Sequence, residues 1–467
     1  MRFAFMLLEA YGFSDETDRR ALLDFKSQVS EDTQVVLSSW NNSSPLCNWK
    51  GVTCGVKHKR VIRLDLGGSQ LGGVISPSIG NLSFLKSLDL INNSFTGAIP
   101  HEVGNLFRLH FLDLSSNALE GMIPISIFNC SRLSRLYLDT NHLRGGKLPS
   151  SLGNLTSLTE FQLHDNSLEG EIPGDIARLN QMVEFSVAAN NFSGGFPHAI
   201  YNFSSLEYLH IRNNLFSGFL RTDFGKLLPN LVRLNMRYNY FKGAIPATLA
   251  NISNLQHFSI NDNRMTGICL AVTCPAPLQI SPQTSDLANN LISGNIPHQI
   301  GNLVSLQELT LEGNLLTGLL TTSIGKLLRL QGLDLRFNSI SGEIPPSIGN
   351  LTRLERLYLA NNRFEGTITP SLSNSLTGSL PEDVGRLENL VDLWAANNKL
   401  SGQLPQTLGN CLSLETLLLE GNHFDGAFPN IQRLKESPTK RLTVSEARKE
   451  LISMRERFFK TRRTARH

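Results

Sequence analysis

The sequence predicts an α/β repeat fold, a solenoid whose coils each add a short strand to one parallel concave sheet, with a helical cap at its N-terminal end. Three observations carry this prediction. The first is a fixed period. Counted from Ser69, the residues Asn93, Asn117, Asn141, Asn166, Asn190, Asn214, Asn239 and Asn263 follow one another at steps of 24 or 25, and Asn290, Asn314, Asn338 and Asn362 continue at 24. The second is the text inside the period: LKSLDLINNSFTGAIP at 85–100 returns as LHFLDLSSNALEGMIP at 109–124. The third is a helical stretch and a cysteine pair that precede the first coil. A period held this tightly is the signature of leucine-rich repeats.

The cap comes first. Residues 15–40 hold Ala21, Leu22, Phe25 and Val29 at helical spacing, with acidic residues in the first turn, where a helix dipole favours them. The terminal coil of a solenoid has one face without a neighbour, and a lid must cover it. A helix stapled by a Cys47–Cys54 disulfide suits that task; a zinc site is the alternative, but no partner ligands lie nearby. Before the cap, residues 1–13 have one arginine and a short apolar run, which reads as a weak or truncated signal peptide.

Within a coil, the middle of LxxLxLxxN alternates as a strand does, so its leucines turn inward and its variable residues turn outward. The asparagine can bond backbone groups of the turning chain, while glycine and Ile-Pro bend the return path. No coil can bury its leucines alone, so stacking supplies the core.

The cap text ALLDFKSQVS…VLSSWN…CNWKGVTC and the repeat form LxxLxLxxNxLxGxIPxxLGNL resemble the extracellular domain of plant leucine-rich-repeat receptor kinases. The likeness is to the immune subfamily that includes the bacterial EF-Tu receptor and the rice Xa-type resistance receptors, and it covers residues 14–434. The resemblance implies the 24-residue plant type of repeat. It also implies a plasma-membrane receptor with an extracellular array, a peptide or protein ligand that can be microbial, and a co-receptor kinase docking near the C-terminal coils. Ten sequons, at Asn41, Asn42, Asn81, Asn92, Asn129, Asn154, Asn191, Asn202, Asn251 and Asn350, accord with N-glycosylation on a secretory route.

Four segments follow from this: 1–13 as signal peptide, 14–60 as cap, 61–434 as repeat array and 435–467 as a basic tail. The array is irregular at 268–286, where the asparagine step is 27 and the text reads as a remnant of deleted coils or a mis-spliced segment, the alternative being a loop in which Cys269 pairs with Cys274. It is irregular again at 369–374. There the count passes from Asn362 to Asn374 in 12 residues, a half coil that should not stack. The tail carries a net charge of +7 against −4 for the rest of the chain. Its Val444, Ala447, Leu451, Met454 and Phe458 fall on one helical face, with Thr443 or Ser445 placed to cap it. Pro438, Arg441, Glu450 and Leu451 resemble the last helix of the same receptors' kinase domain. The glycine-rich loop, catalytic lysine, His-Arg-Asp and Asp-Phe-Gly texts are missing, so no kinase activity is expected of this chain. The expectation is a truncated receptor, lacking its membrane span and nearly all of its kinase by deletion or a faulty gene model.

No other chemistry competes. His101-Glu102 lacks the second histidine of a zinc-protease motif, no phosphate loop is present, and no cofactor, metal or nucleic acid is expected. Recognition remains. The outward strand positions place aromatic and arginine side chains, the usual interface anchors, at Tyr137, Tyr208, His210, Arg212, Arg233, Asn235, Arg237 and Tyr238, a surface suited to a ligand bearing carboxylates. Arg336, Phe337, Arg356, Tyr358 and Trp394 form a second, weaker cluster. The alternative function is a freestanding secreted repeat protein that inhibits an enzyme or sequesters a ligand.

Overall fold

A computed structural model of the chain describes residues 15–267, 283–365 and 380–425, together with Pro429 and the two-residue strand Leu442–Thr443. The signal segment, Cys269 and Cys274, Asn374, and the proposed tail helix lie outside the described residues. The chain forms two compact units. One runs from the cap to Phe219 and includes Lys226–Phe241; the other comprises Leu220–Gly225 and the residues from Lys242 onward.

In the first unit, strands Val61–Asp65, Ser87–Asp89, Phe111–Asp113, Arg135–Tyr137, Glu160–Gln162, Glu184–Ser186, Tyr208–His210 and Arg233–Asn235 pair successively in parallel. The inward residue of each is buried: Leu136, Phe161, Phe185, Leu209 and Leu234 are all at 0% exposure. Each such side chain contributes roughly 1.5–3 kcal/mol by leaving water. The asparagine after the strand ties coil to coil. Asn214 Nδ2 donates to the carbonyls of Val187, Ile211 and Arg212 at 2.9, 3.3 and 3.1 Å, and its Oδ1 accepts the N–H of Phe192 at 2.9 Å. Two of those partners, Val187 and Phe192, belong to the preceding coil.

The return path holds more order than the sequence suggested. A second parallel sheet follows the asparagines, through Leu71–Val74, Ser94–Ala98, Ala118–Gly121 and His142–Leu143 in one run and Glu169–Glu171, Asn191–Gly195 and Leu215–Phe219 in another. A short 3-10 helix then closes most of the described coils, with an α-helical turn, Phe224–Leu227, in its place in one. Its Gly-Asn glycine is required by stacking: a Cβ on Gly104 would lie 2.4 Å from Ser126 in the next coil.

The cap seals both sheets. The helix Asp15–Gln28 ends before Val29, which opens a strand, Val29–Asp32, instead of continuing the helical face. That strand pairs antiparallel with Leu71–Val74, while Val52–Cys54 pairs antiparallel with Val61–Asp65. Open sheet edges would otherwise invite pairing with other chains. Gly73 is essential at the first junction, because its φ is +119° and a Cβ would come within 2.2 Å of the Gln28 carbonyl. The Cys47–Cys54 disulfide closes as expected, and Trp40 stacks on Trp49 with ring centroids 5.5 Å apart. Beneath the helix, Asp18 and Arg60 form a buried pair at 2.7 Å.

In the second unit the strand ladder continues across both irregular stretches. Strand Thr284–Asp286 pairs in register with His257–Ser259 and Glu308–Thr310, so the 27-residue step leaves the strand ladder whole. Ser285 occupies the inward position and is buried. At the half coil, Arg356–Tyr358 pairs directly with Asp392–Trp394. The rung after Asn362 is Asn398, whose Nδ2 reaches the Leu359 carbonyl at 3.0 Å and whose Oδ1 accepts the Phe364 N–H at 3.0 Å. The ladder therefore passes directly from Asn362 to Asn398. At the end of the described chain, Leu442–Thr443 pairs with Thr416–Leu418, which puts Thr443 in a strand and not at a helix cap.

Candidate ligand-recognition face

Each strand of the first unit presents alternate residues away from the core, and the parallel register aligns them in columns. Tyr208 lies opposite Arg233, and His210 opposite Asn235. Arg212 and Arg237 follow two residues beyond each strand, past the inward Ile211 and Met236, both at 0% exposure. Seven of the eight sequence-selected residues thus gather on two neighbouring coils. Tyr137 does not join them. It lies three strands away, edge-on to Phe111 at 5.7 Å, with its hydroxyl donating to Glu160. Burial and that carboxylate push its phenol well above the usual range.

The cluster is electropositive. Arg212, Arg233 and Arg237 make no ion pair among the described residues, and Arg237 Nε is buried without a hydrogen-bond partner. Burial, together with the charges of Arg233, His164 and Arg212, pushes the His210 imidazole down to about 4. A histidine protonated in the unfolded chain at 6.5 but not in the folded one favours unfolding as acid is added. Stability is therefore expected to fall as the pH drops from about 6.5 towards 4, and His210→Gln should flatten that part of a stability–pH curve.

Tyr238 has a different peculiarity. The residue before each ladder asparagine turns with positive φ, and most coils place Asn, Asp, Ser, Thr, Ala or Gly there. Here a tyrosine adopts φ +54° and stays 50% exposed, with the Arg237 guanidinium 5.8 Å from its ring. A side-chain-bearing residue in this region loses roughly 1–2 kcal/mol. Replacing Tyr238 with asparagine, as in Asn213 one coil earlier, should raise stability by about 0.5–1 kcal/mol in denaturant titration while weakening ligand binding. A loss of stability would show the ring to be held for packing instead.

Sequence reasoning missed the opposite pole of this face. Asp65, Asp89 and Asp113 stand directly opposite one another on three strands, and Glu160 stands opposite Glu184. Burial and mutual repulsion raise the Asp89, Asp113 and Glu184 carboxyls above the ordinary range. The signal was present as Leu-Asp-Leu in three consecutive coils. In the second unit the weaker cluster is self-contained. Arg336 lies beside the paired Tyr358 and Trp394 rings, 4.9 and 5.1 Å from their centroids, and binds Asp334 and Glu312 at 2.6 and 3.0 Å, so its charge is already compensated. Phe337 repeats the left-handed corner of Tyr238. No cluster of His, Cys, Asp and Glu able to hold a metal occurs among the described residues.

Parallel strand ladder, asparagine rungs, second sheet and disulfide cap together define a capped leucine-rich-repeat solenoid. The family described as "Leucine-rich repeat region" matches residues 55–267, "Leucine rich repeat N-terminal domain" matches 15–55, and further leucine-rich-repeat matches cover 305–364 and 389–411. The chain belongs to the leucine-rich-repeat proteins, and its repeats are of the kind found in plant receptor-like kinases. It is 79% identical over 87 residues to a probable LRR receptor-like serine/threonine-protein kinase of Arabidopsis thaliana, which is 19% of this chain and 9% of that one. To the LRR receptor-like serine/threonine-protein kinase EFR of the same plant it is 68% identical over 79 residues, 17% of this chain and 8% of that one. The matched segments thus span less than a tenth of these relatives. Among solved structures, the plant peptide hormone receptor RGFR1, in complex with RGF2, is 32% identical with a TM-score of 0.68. That alignment covers 82% of this chain and 65% of that one.

Proposed function

We propose that this chain is the ligand-recognition region of a plant receptor of the surface-signalling and defence type, and that the strand face from Tyr208 to Tyr238 binds a peptide or protein ligand through its carboxylates. The carrying observation is the set of three guanidiniums without acidic partners among the described residues. Charge left uncompensated on a sheet face, beside aromatic side chains, is what an anionic partner would complete. The bound peptide of the RGFR1 structure supports a peptide as the ligand class. A route through the secretory pathway is supported by the sequons, since all ten of their asparagines are exposed. No helix among the described residues is long and apolar enough to cross a membrane.

Replacing Arg212, Arg233 and Tyr238 with alanine should weaken binding of candidate microbial and plant peptides by at least tenfold, measured by titration calorimetry with the full chain. Unchanged affinity would remove this face from consideration. A freestanding secreted inhibitor or decoy is the second reading. Glycosylated protein recovered from extracellular fluid would favour it, and retention with membranes through a partner would favour the receptor.

A further inference from the structure

We propose that the ligand of this face is a dipolar extended peptide. It carries a cationic group over Asp89, Asp113 and Asp139 and a carboxylate, four to seven residues away, over Arg212, Arg233 and Arg237. The inference rests on the recognition reading above and specifies the ligand's charge pattern.

Three observations carry it. First, the carboxylate end is arranged against its own interest. Asp65, Asp89 and Asp113 lie directly opposite one another on adjacent strands, a placement that destabilises a sheet when the charges are alike. Asp65 has Arg63 at 2.7 Å, and Asp139 has His164 at 3.4 Å. Among the described residues Asp89 and Asp113 make no ion pair, and the Asp113 carboxylate accepts from the Ser115 hydroxyl and N–H at 2.6 and 2.9 Å. Second, the guanidinium end is equally uncompensated, as shown above. The second unit shows that this family of coils can pair such charges on one face: Arg336 with Asp334 and Glu312, and Arg356 with Glu308 and Glu355. Third, the coil between the poles places one long side chain on this face, Glu184, beside the small Ser186 and Ala188.

The spacing follows from sheet geometry. Five strand steps separate Asp113 from Arg233, and three separate the coil of Asp139 from that of Arg212. At about 4.8 Å per step these are roughly 24 and 14 Å, which an extended chain at about 3.3 Å per residue covers in about seven and four residues. Longer or shorter separations would leave one pole unpaired.

The test uses the full glycosylated chain and fluorescein-labelled synthetic peptides on a Gly-Ser backbone. Each carries two lysines and two aspartates separated by one, five or twelve residues, and all-aspartate and all-lysine peptides of equal length serve as controls. Fluorescence anisotropy should show the five-residue spacing binding at least tenfold more tightly than either other spacing or either control. Asp89→Asn and Arg233→Gln, two mild changes at opposite poles, should each reduce that binding at least threefold. If the all-aspartate peptide binds as tightly as the best dipolar one, and Asp89→Asn changes nothing, the dipolar inference is overturned while the arginine face stands. If no spacing is preferred and Arg233→Gln is also silent, both are overturned.

Discussion

Replacing Asp18 with alanine is expected to lower the stability of the N-terminal cap by about 3–5 kcal/mol, the usual consequence of removing one partner from a buried ion pair. The Asp18 carboxylate accepts Arg60 Nε at 2.9 Å and Nη2 at 2.7 Å, and also the Val61 N–H at 2.8 Å. Both residues are buried, at 0 and 2% exposure. The guanidinium would lose its carboxylate while keeping weaker contacts such as Ser83 at 3.3 Å and the Phe84 ring at 4.7 Å. Because Val61 begins the first strand of the ladder, the damage should spread from the cap into the first coils. Hydrogen exchange localises it: protection should be lost around residues 15–90 and retained farther along, since repeat arrays unfold in segments. The paired change Asp18→Leu with Arg60→Met should be milder than either single change, because no charge is left buried alone. A loss below about 1 kcal/mol for Asp18→Ala would mean that water reaches Arg60 and that the pair is not structurally decisive.

The second large effect concerns the asparagine ladder. Asn214→Ala would leave the Phe192 N–H without its partner. It would also take one hydrogen bond from each of three carbonyls, Val187, Ile211 and Arg212, which keep Asn190, Asn239 and the Ala189 N–H as donors. A buried unsatisfied group costs roughly 1–3 kcal/mol and a lost bond about 1 kcal/mol. With some relief from entering water, a loss of about 3 kcal/mol in urea unfolding is expected. The informative control is Asn374→Ala. By sequence count Asn374 is a ladder position, but the ladder runs from Asn362 to Asn398. Its replacement should change stability by less than about 0.5 kcal/mol, and a loss comparable to that of Asn214→Ala would refute this assignment of the rungs.

The recognition cluster was partly legible in advance. Outward positions follow from strand alternation alone, so Tyr208, His210, Arg212, Arg233, Asn235 and Arg237 could be placed on one face without coordinates. Tyr137 could not be separated from them, because its partner Glu160 lies 23 residues away and only register brings the two together. The same holds for the carboxylate pole: Leu-Asp-Leu is visible three times, but direct opposition of Asp65, Asp89 and Asp113 is a property of paired strands.

By itself the sequence determined the repeat, its 24-residue step, the inward leucines, the asparagine rungs and the disulfide cap, because each is a local periodicity or a short spacing. The second sheet, the buried Asp18–Arg60 pair and the continuity of the ladder past 268–282 and 366–379 were decided by tertiary structure. In those places the stacking requirement acts on strands and not on residue counts. A coil may carry 27 or 36 residues provided that its strand and asparagine return to register against the coil before it, and only the neighbouring coil can enforce that.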